Sequence, residues 1–360
     1  MLHSETGKTL TVFLCVLAIC VSLAGCGPEV QNSKTVEPKG KVYFSYFDTV
    51  SYIYDYSGDS AERFDDRSAE VSHILEEYHR LFDIYHEYEG VNNLCTLNRL
   101  AGGEAVPVDE KLVDFLLYAK EMYYLTSAQM NVMLGAVLQL WHECREAASD
   151  ASGKAEIPTE QALQAASGHT GIDLLEINKA EGTVRISDPD ASLDVGALGK
   201  GYATEMAAKW LEDQGALGYV LNIGGNIRII GTRPDGTGWK TGIRDPADPD
   251  GEYALNIRIA DTACVSSGVY ERFFVAEGKR WHHIIDPDTL YPAEWYSALT
   301  VITKDSALAD ALSTALFCMD YEESRSLVET LDGVEACWIF SDGEIRCSSG
   351  FEKLIIKEKI

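Results

Sequence analysis

Residues 194–203 read Asp194-Val195-Gly196-Ala197-Leu198-Gly199-Lys200-Gly201-Tyr202-Ala203, and this stretch constrains the fold more than any other. Three glycines fall within six residues, between a carboxylate that we expect to be buried and a helix predicted over residues 204–211. Glycine lets a backbone approach a bulky ligand closely, and the first N–H groups of a helix have no partner within it. A helix start of this kind favours an anion such as phosphate, although an ordinary turn before a helix has the same spacing.

The first 40 residues predict a lipid-anchored protein that acts outside the cytoplasm. A basic start and an apolar run over residues 10–23, too short to span a membrane, are typical of a secretory signal, so we interpret residues 1–25 as a signal peptide. Cys26 follows Leu-Ala-Gly, as in a bacterial lipobox whose cysteine is lipidated; a plain signal peptide with an unrelated cysteine is the alternative. Residues 26–40 are interpreted as a flexible tether that joins the bacterial cell membrane to a globular domain over residues 41–360.

The charge and the cysteines exclude several kinds of partner and site. The chain carries 30 basic and 57 acidic residues, so its surface repels nucleic acid and offers no polybasic attraction to a membrane. A phosphate-binding site in so acidic a protein needs local compensation, for which a metal cation is the obvious means. The cysteines beyond residue 26 lack the CxxC spacing of zinc sites. A disulfide between Cys337 and Cys347, which flank a predicted hairpin, stays open at this point.

Predicted strands and helices do not alternate regularly along the chain. Residues 42–56 alternate apolar and polar side chains, as a hairpin or a kinked strand does, whereas residues 68–82 and 111–126 show the periodicity of amphipathic helices. Further strands are predicted over residues 172–177, 183–186, 219–230, 253–259, 264–267, 273–275 and 299–303. Two more helices and a C-terminal hairpin are predicted over residues 306–319, 322–331 and 336–347. This order favours an α+β fold, with a mixed or antiparallel sheet core and packed helices, over a doubly wound sheet.

The helix predicted over residues 306–319 carries a candidate metal site. Its side chains are small and apolar almost all the way round, so we expect it to be buried. Asp310 and Thr314 stand four residues apart and share one face. A buried carboxylate needs a partner, and together with a hydroxyl it offers two hard oxygen ligands suited to Mg²⁺. A structural role stays open, in which Asp310 caps or hydrogen-bonds a neighbour and Thr314 only packs.

Two further segments end in loops of the kind that bind ligands. In the first, His283 stands beside a short predicted strand that ends in Asp286-Pro287. A histidine where a strand runs into a loop is either a catalytic base or a structural residue. In the second, residues 221–226, a predicted strand ends in Gly224-Gly225. A double glycine there indicates either a tight bend or a point of close approach to a ligand.

In order and spacing, these segments resemble the ApbE family, the FAD:protein FMN transferases, which are often bacterial lipoproteins. The family's glycine-rich motif is matched by residues 194–203, and its Asn-x-Gly-Gly-Asp turn by residues 222–226, with Asn226 in place of the aspartate. Its Ser-Gly-x-Tyr, His-Ile-Ile-Asp-Pro-x-Thr-Gly and Ala-Asp-Ala-x-x-Thr motifs are matched by residues 267–270, 283–290 and 309–314. Upstream matches are looser, namely Phe47-Asp48-Thr49 for Met-Gly-Thr, and Tyr85 with Leu97-Asn98 for Tyr…Asn. The chain departs from the family at Leu290 and Gly199, which replace glycine and alanine, and at His142, where a Trp-Gly pair is usual.

The resemblance implies an ApbE-like flavin transferase fold, FAD as the donor substrate and Mg²⁺ as the cofactor. Its metal ligands carry over to the backbone carbonyl of Ala197 and the side chains of Asp310 and Thr314. Its FAD contacts carry over to Phe47, Tyr85, Leu140, Trp141, His142, Asp194, Lys200 and Ile285. His283 is the candidate base, and Asp286 is the alternative.

The activity implied by the resemblance is transfer of FMN from FAD to a threonine hydroxyl of an acceptor protein, with release of AMP. The expected acceptor is an extracytoplasmic redox protein with a Ser/Thr-Gly-Ala-Thr type segment. Two alternatives stay open: an FAD pyrophosphatase, which uses water in place of threonine, and a non-enzymatic FAD-binding lipoprotein. A two-lobed solute-binding lipoprotein is disfavoured because the chain lacks its repeating βα pattern.

Overall fold

Antiparallel strands, nine α-helices and a 3-10 helix (Ile172–Leu174) are the regular elements of the computed structural model, which describes residues 37–149 and 155–357. The strands are β1 (Lys39–Tyr46), β2 (Thr49–Asp55), β3 (Val106–Pro107), β4 (Leu175–Asn178), β5 (Thr183–Ile186), β6 (Tyr219–Ile223), β7 (Asn226–Ile230), β8 (Trp239–Arg244), β9 (Tyr253–Ile259), β10 (Ala263–Gly268), β11 (Phe273–Ala276), β12 (Lys279–His282), β13 (Ala298–Thr303), β14 (Glu335–Ile339) and β15 (Ile345–Cys347). The helices are α1 (Ala61–Phe82), α2 (Leu94–Arg99), α3 (Glu110–Leu125), α4 (Gly135–Ser149), α5 (Glu160–Ser167), α6 (Gly199–Asp213), α7 (Ser306–Cys318), α8 (Tyr321–Thr330) and α9 (Ser349–Glu352).

Eight strands form the central sheet, in the order β1-β2-β6-β7-β10-β13-β14-β15, and each neighbouring pair is antiparallel. Smaller antiparallel sheets are β3-β5-β4, β8-β9 and β11-β12. The α+β class is confirmed, and within the described residues the sheets are antiparallel rather than mixed. The double glycine is a tight turn that joins β6 to β7, with φ values of 56° at Gly224 and 94° at Gly225 that favour glycine.

The central sheet is covered on both faces. Helices α1, α6 and α7 pack on one face, and the β8-β9 hairpin with α9 covers the other. All six residues of β13 are buried, because a strand covered on both faces has no polar side. In β14 the side chains alternate, so that Ala336 and Trp338 belong to the core beneath the helices while Cys337 and Ile339 belong to the core beneath the hairpin.

A buried ion pair fixes α7 relative to α6. Glu205 of α6 accepts the Ser306 N–H at the start of α7, at 2.8 Å, and pairs with Arg228 of β7 at 3.2 Å. The Arg228 side chain is almost fully buried and also reaches Glu212 at 2.6 Å. Removing one partner of such a pair leaves an uncompensated buried charge, so these contacts hold both helices in one register.

A separate apolar cluster lies beside the main core. It is built from α4, α5 and the β11-β12 hairpin, and its largest buried side chains include Trp141 and Trp281. Their rings lie 5.6 Å apart, centroid to centroid. This cluster forms one wall of the site described below.

The predicted N-terminal features are only partly covered by the structure. The signal peptide over residues 1–25, Cys26 and the tether up to residue 36 lie outside the described residues. Strand β1 begins at Lys39, so the tether predicted to run to residue 40 ends before that residue. None of the helices described within residues 37–149 and 155–357 has the length and apolar character needed to cross a membrane.

Candidate active site

The glycine-rich stretch forms the start of α6, where this helix packs against α7. The helix begins at Gly199, earlier than the predicted residue 204. The N–H of Gly201 donates to Asp310 Oδ2 at 2.7 Å. A Cβ at residue 201 would lie 2.3 Å from Asp310 Cβ and 2.5 Å from the Ser306 carbonyl oxygen, so only glycine permits this approach of the two helices.

We expect Gly201→Ala to lower the free energy of unfolding by about 1–3 kcal/mol, because the added methyl group must push α6 away from α7. Urea denaturation of the two proteins measures this difference. Gly171→Ala is the matched control, since its φ is −66° and its nearest neighbours, at 3.8 Å, belong to the flexible side chain of Leu174. A Gly201→Ala variant as stable as this control would contradict the packing argument.

Asp310 is buried and keeps one carboxylate oxygen unpaired. Its Oδ2 accepts hydrogen bonds from Gly201 N–H and, at 3.3 Å, from Asn226 Nδ2, whereas no hydrogen bond from the described residues reaches Oδ1. Burial raises the pKa of Asp310, and the positive charge of Lys200 and these hydrogen bonds oppose that shift. Asn226 stands where the family has an aspartate, and its amide donates to Asp310, whereas an aspartate would place a second negative charge beside that carboxylate.

Two further oxygen atoms, in the segments that meet at Asp310, are unpaired. Thr314, one turn along α7, is partly exposed, and its hydroxyl makes no hydrogen bond within the described part of the chain. The N–H of Gly201 donates to Asp310 instead of the Ala197 carbonyl, and no other backbone N–H of residues 37–149 or 155–357 reaches that carbonyl. A carboxylate, a hydroxyl and a carbonyl are the hard ligands that Mg²⁺ prefers, and a cation would compensate the buried charge, so these residues fit the implied metal.

The expectation of free N–H groups at this helix start is wrong for two residues. Gly199 donates to the Val195 carbonyl at 2.8 Å, and Gly201 donates to Asp310. Lys200 instead supplies positive charge, since it acts on the pKa of both Asp310 and His283. Positive charge at this helix start therefore comes from the Lys200 side chain and not from the N–H groups of Gly199 and Gly201.

His283 follows β12 and is held in one tautomer. Its Nδ1 lies 3.1 Å from the Arg272 carbonyl oxygen, which can only accept, so Nδ1 carries the proton and Nε2 keeps its lone pair. Burial, followed by the charges of Arg272, His282 and Lys200, lowers the pKa of His283 to about 3. The ring is therefore neutral at physiological pH and available as a base.

Asp286, the alternative base, and the neighbouring His282 both have structural roles. His282 is buried, with Nε2 2.8 Å from the Ala293 carbonyl oxygen, and its Nδ1 accepts the Ile284 N–H at 3.3 Å. Asp286 is also buried, and its Oδ1 accepts the Asp288 N–H at 2.8 Å. The Asp286 carboxylate thus holds the Asp-Pro turn, which favours His283 as the base.

A cavity opens between α4 and the β11-β12 hairpin, beside His283. The residues that line it include Trp141, His142, Arg145, Arg272, His283 and Ile285. Three predicted FAD contacts therefore share this cavity with the candidate base. Leu140 is not among the lining residues; it packs against the neighbouring apolar cluster, and Leu138 takes the place on the cavity wall.

Trp141 forms part of the cavity wall from within the core. It is 3% exposed, and its Nε1–H donates to the Leu290 carbonyl oxygen at 3.0 Å. Leu290 is itself buried and has a φ of 65°, in the left-handed region that favours glycine. The leucine that replaces the family's glycine thus keeps a glycine-like backbone while its side chain fills the cluster.

Comparing Leu290→Gly with Leu290→Ala separates these two effects. Both variants lose a buried side chain, which costs about 2–5 kcal/mol, but glycine also relieves about 1–2 kcal/mol of backbone strain. We expect both to be less stable than the unmodified protein in chemical denaturation, with Leu290→Gly more stable than Leu290→Ala. Equal stabilities of the two variants would contradict the strained backbone at residue 290.

Tyr85 and Asp194 lie near His142, which also lines the cavity. The Tyr85 hydroxyl lies 3.4 Å from His142 Nδ1. Burial lowers the pKa of His142 and raises that of Tyr85; the charge of Asp194 opposes the shift at His142 and adds to the shift at Tyr85. Asp194 is partly exposed rather than buried as predicted, and its Oδ1 accepts the Gly196 N–H at 2.9 Å, which shapes the glycine-rich loop.

Phe47 lies in the turn between β1 and β2. The turn is built from Phe47 and Asp48 with φ values of 53° and 50°, an uncommon conformation for residues other than glycine. The Phe47 and His79 rings meet edge to face, with their centroids 5.6 Å apart. The charge of Asp48 contributes to the raised pKa of Tyr85. Strained turns of this kind cluster at functional sites, and this one approaches Tyr85.

Sequence reasoning assigned no role to three residues of the site. Arg145 and Arg272 line the cavity, and the Asn98 side chain clamps Leu193, donating to its carbonyl oxygen at 2.9 Å and accepting its N–H at 2.7 Å. This clamp fixes the chain that leads into Asp194. Arg272 stands two residues after Tyr270, the last residue of the Ser-Gly-x-Tyr motif, and basic residues are scarce in this chain, so its position was a usable signal.

Comparison with known proteins adds a finding that decides the family. Residues 49–338, most of the chain, match the model of the ApbE family. This chain belongs to the ApbE family. Among curated proteins, it is 32% identical over 303 residues to an FAD:protein FMN transferase of Treponema pallidum, covering 79% of this chain and 81% of that protein. It is 28% identical over 320 residues to a protein of the same name from Vibrio cholerae, covering 88% and 90%.

Solved structures of ApbE proteins share the fold. The ApbE protein of Thermotoga maritima superposes with a TM-score of 0.77 at 27% identity, over 89% of this chain and 100% of that one. The flavin transferase ApbE of Vibrio cholerae superposes with a TM-score of 0.72 at 25% identity, over 88% and 99%. The prediction of an ApbE-like flavin transferase fold is therefore confirmed.

Proposed function

We propose that this chain is an FAD:protein FMN transferase that uses Mg²⁺ to transfer FMN from FAD to a threonine hydroxyl of an acceptor protein, with release of AMP. The observation that carries the proposal is the junction of α6 and α7, where unpaired oxygens of Ala197, Asp310 and Thr314 lie in segments that contact each other. Lys200 and the neutral His283 stand beside it. A hard metal site next to a cation and a base suits phosphoryl transfer, and the two curated relatives carry that name over most of their length.

Each part of the site has a role in this reaction. Mg²⁺ held by Ala197, Asp310 and Thr314 would neutralise the charge that develops on the FAD pyrophosphate. Lys200 adds a fixed positive charge beside the same groups. His283 Nε2 accepts the proton of the threonine hydroxyl, whose oxygen bonds to the phosphorus on the FMN side. The bond from that phosphorus to the bridging oxygen breaks, and AMP leaves with this oxygen.

The aromatic side chains around His142 suit a flat heteroaromatic ligand. Tyr85 is exposed next to His142, and Phe47 lies in the neighbouring turn. Flavin and adenine rings stack on aromatic faces, so we assign Phe47, Tyr85 and His142 to ring contacts. Ile285 adds an apolar contact, and Trp141 supports the wall from behind.

We also propose that Cys26 is lipidated and holds the enzyme at the outer side of the cell membrane, where redox proteins with a Ser/Thr-Gly-Ala-Thr type segment are its acceptors. The support is the apolar run over residues 10–23 followed by Leu-Ala-Gly-Cys. Mass spectrometry of the mature protein should find Cys26 at the N-terminus with a lipid adduct. A mature protein that starts elsewhere and carries no lipid would contradict this proposal.

One experiment separates the proposed function from its alternatives. The lipid-free protein is incubated with FAD, Mg²⁺ and an acceptor that carries the Ser/Thr-Gly-Ala-Thr segment, beside an acceptor whose last threonine is replaced by valine. The transferase gives a fluorescent acceptor band on a denaturing gel together with AMP, and both the valine acceptor and EDTA abolish the band. AMP without the band would indicate a pyrophosphatase, and bound FAD without either product would indicate a flavin-binding protein.

A further inference from the structure

Two cysteines face each other at one edge of the central sheet, away from the cavity described above. Cys337 of β14 and Cys347 of β15 are directly opposite in the antiparallel register, and both thiols are free. We propose that this pair is a site of reversible disulfide formation by exchange with an external disulfide. The proposal is independent of flavin transfer.

The ladder places the two cysteines at the close spacing that a disulfide needs. On one side, the Ser348 N–H donates to the Ala336 carbonyl at 2.9 Å; on the other, the Phe340 N–H donates to the Glu344 carbonyl at 2.9 Å. Hydrogen-bonded and non-hydrogen-bonded pairs alternate along an antiparallel ladder, so the cysteines form a non-hydrogen-bonded pair. Opposite residues in such pairs have Cα atoms about 4.5 Å apart, within the range of about 4.4–6.8 Å found in disulfides.

The two thiols differ in access and reactivity. Cys337 is fully buried, whereas Cys347 lies on the edge strand and is partly exposed. The hydrogen bond between the thiols lowers the pKa of Cys347 and raises that of Cys337, and burial raises the latter further. The thiolate is the nucleophile in disulfide exchange, so Cys347 reacts first and Cys337 second.

The exchange proceeds in two balanced steps. The Cys347 thiolate attacks a small-molecule or protein disulfide, RSSR, which forms Cys347–S–S–R and releases one RSH. Cys337 then attacks the Cys347 sulfur and displaces the second RSH. The protein dithiol loses two electrons and two protons, and the external disulfide gains them.

Cys264 is the other thiol near Cys337, but it lies too far away to bridge. It belongs to β10, and β13 runs between β10 and β14. Two strand spacings amount to about 9.6 Å, which exceeds the limit of about 7 Å for Cα atoms joined by a disulfide. Burial also raises the pKa of Cys264 to about 12, so that it stays a thiol.

Tryptic peptide mapping tests the proposal directly, because Arg346 lies between the two cysteines. The lipid-free protein is equilibrated with oxidised glutathione, alkylated to block free thiols, and digested without reductant. We expect peptides 326–346 and 347–353 to appear joined, with a mass two hydrogens below their sum, and to separate after reduction. A Cys347→Ser variant should lose the joined species, and the matched Cys95→Ser variant, which removes another partly exposed thiol, should keep it.

Thermal unfolding gives an independent measurement. Oxidation should raise the unfolding temperature of the unmodified protein, because the bridge ties the three-residue edge strand β15 to the sheet, and should not do so in Cys347→Ser. The proposal is overturned if Cys347 carries only glutathione after equilibration, if both cysteines are alkylated in full, or if Cys337 is found joined to Cys264.

Discussion

The Asp310→Asn variant should transfer FMN about 10²–10³-fold more slowly than the unmodified enzyme at saturating Mg²⁺ and FAD. Removal of one group that stabilises developing charge in a closed site costs this much. Asparagine has nearly the same shape and can still accept the Gly201 N–H, which lies 2.7 Å from Asp310 Oδ2. The variant therefore removes the charge and keeps the packing of α6 against α7. Initial rates of acceptor labelling over a Mg²⁺ titration measure the effect.

Stability measurements distinguish loss of the metal site from loss of the fold. Burial raises the pKa of Asp310, so the ionised side chain costs stability above that pKa, and Asp310→Asn should unfold at the same temperature as the unmodified protein or higher when Mg²⁺ is absent. Mg²⁺ should then raise the unfolding temperature of the unmodified protein and not that of the variant. Thr314→Val, which removes only a hydroxyl, should weaken the Mg²⁺ response less. A variant with unchanged Mg²⁺-dependent activity would show that Asp310 is not a ligand.

The ends of the predicted elements depend on contacts that the sequence pattern does not contain. The helix predicted from residue 204 begins at Gly199 because the N–H of Gly201 is satisfied by Asp310, more than a hundred residues away along the chain. The helix predicted from residue 68 begins at Ala61, where the Ser60 side chain accepts the Arg63 N–H. Periodicity therefore predicted five of the helices but missed α4, which carries Trp141 and His142, while distant partners and capping residues determined where the predicted helices begin.

The candidate site was predictable where a motif carries its own chemistry. The spacing of Asp310 and Thr314 predicted a shared face of a buried helix, and both lie on α7. His283 was predicted as the base from its position beside a strand end. Leu140 was predicted to contact FAD but does not line the cavity, and Asp194 was expected to be buried but is partly exposed. The direction of a helix side chain and the burial of a loop carboxylate both depend on packing between segments. The roles of Arg145 and Asn98 depend on contacts between segments far apart in the chain, with Asn98 held 95 residues from Leu193, and no local pattern contains that information.

The His283→Ala variant should lose about 10²–10⁴-fold in the rate of FMN transfer, the usual contribution of a positioned general base. Binding of FAD and the Mg²⁺-induced rise in unfolding temperature should persist, because His283 contributes to neither the oxygen ligands nor the ring contacts. Single-turnover labelling of the acceptor measures the chemical step directly. Loss of FAD binding in this variant, or an unchanged transfer rate, would contradict the assignment of His283 as the base.

The pH dependence follows from the charges around His283. The neutral ring is the active form, so activity falls as the pH drops through its pKa, which is about 3 in the free protein. Bound pyrophosphate offsets the charges of Lys200 and Arg272 and raises that pKa in the complex. The acid limb of kcat, which reports the complex, should therefore lie at higher pH than the acid limb of kcat/KM, which reports the free enzyme.

Arg272→Gln tests this explanation. The variant keeps the backbone carbonyl that orients His283 and removes one of the cations that lower its pKa. The acid limb of kcat/KM should consequently move to higher pH in the variant, toward the limb of kcat. An acid limb of kcat/KM that already lies near pH 6.5 in the unmodified enzyme, about the ordinary pKa of histidine, and does not move in Arg272→Gln would show that these charges do not control the base.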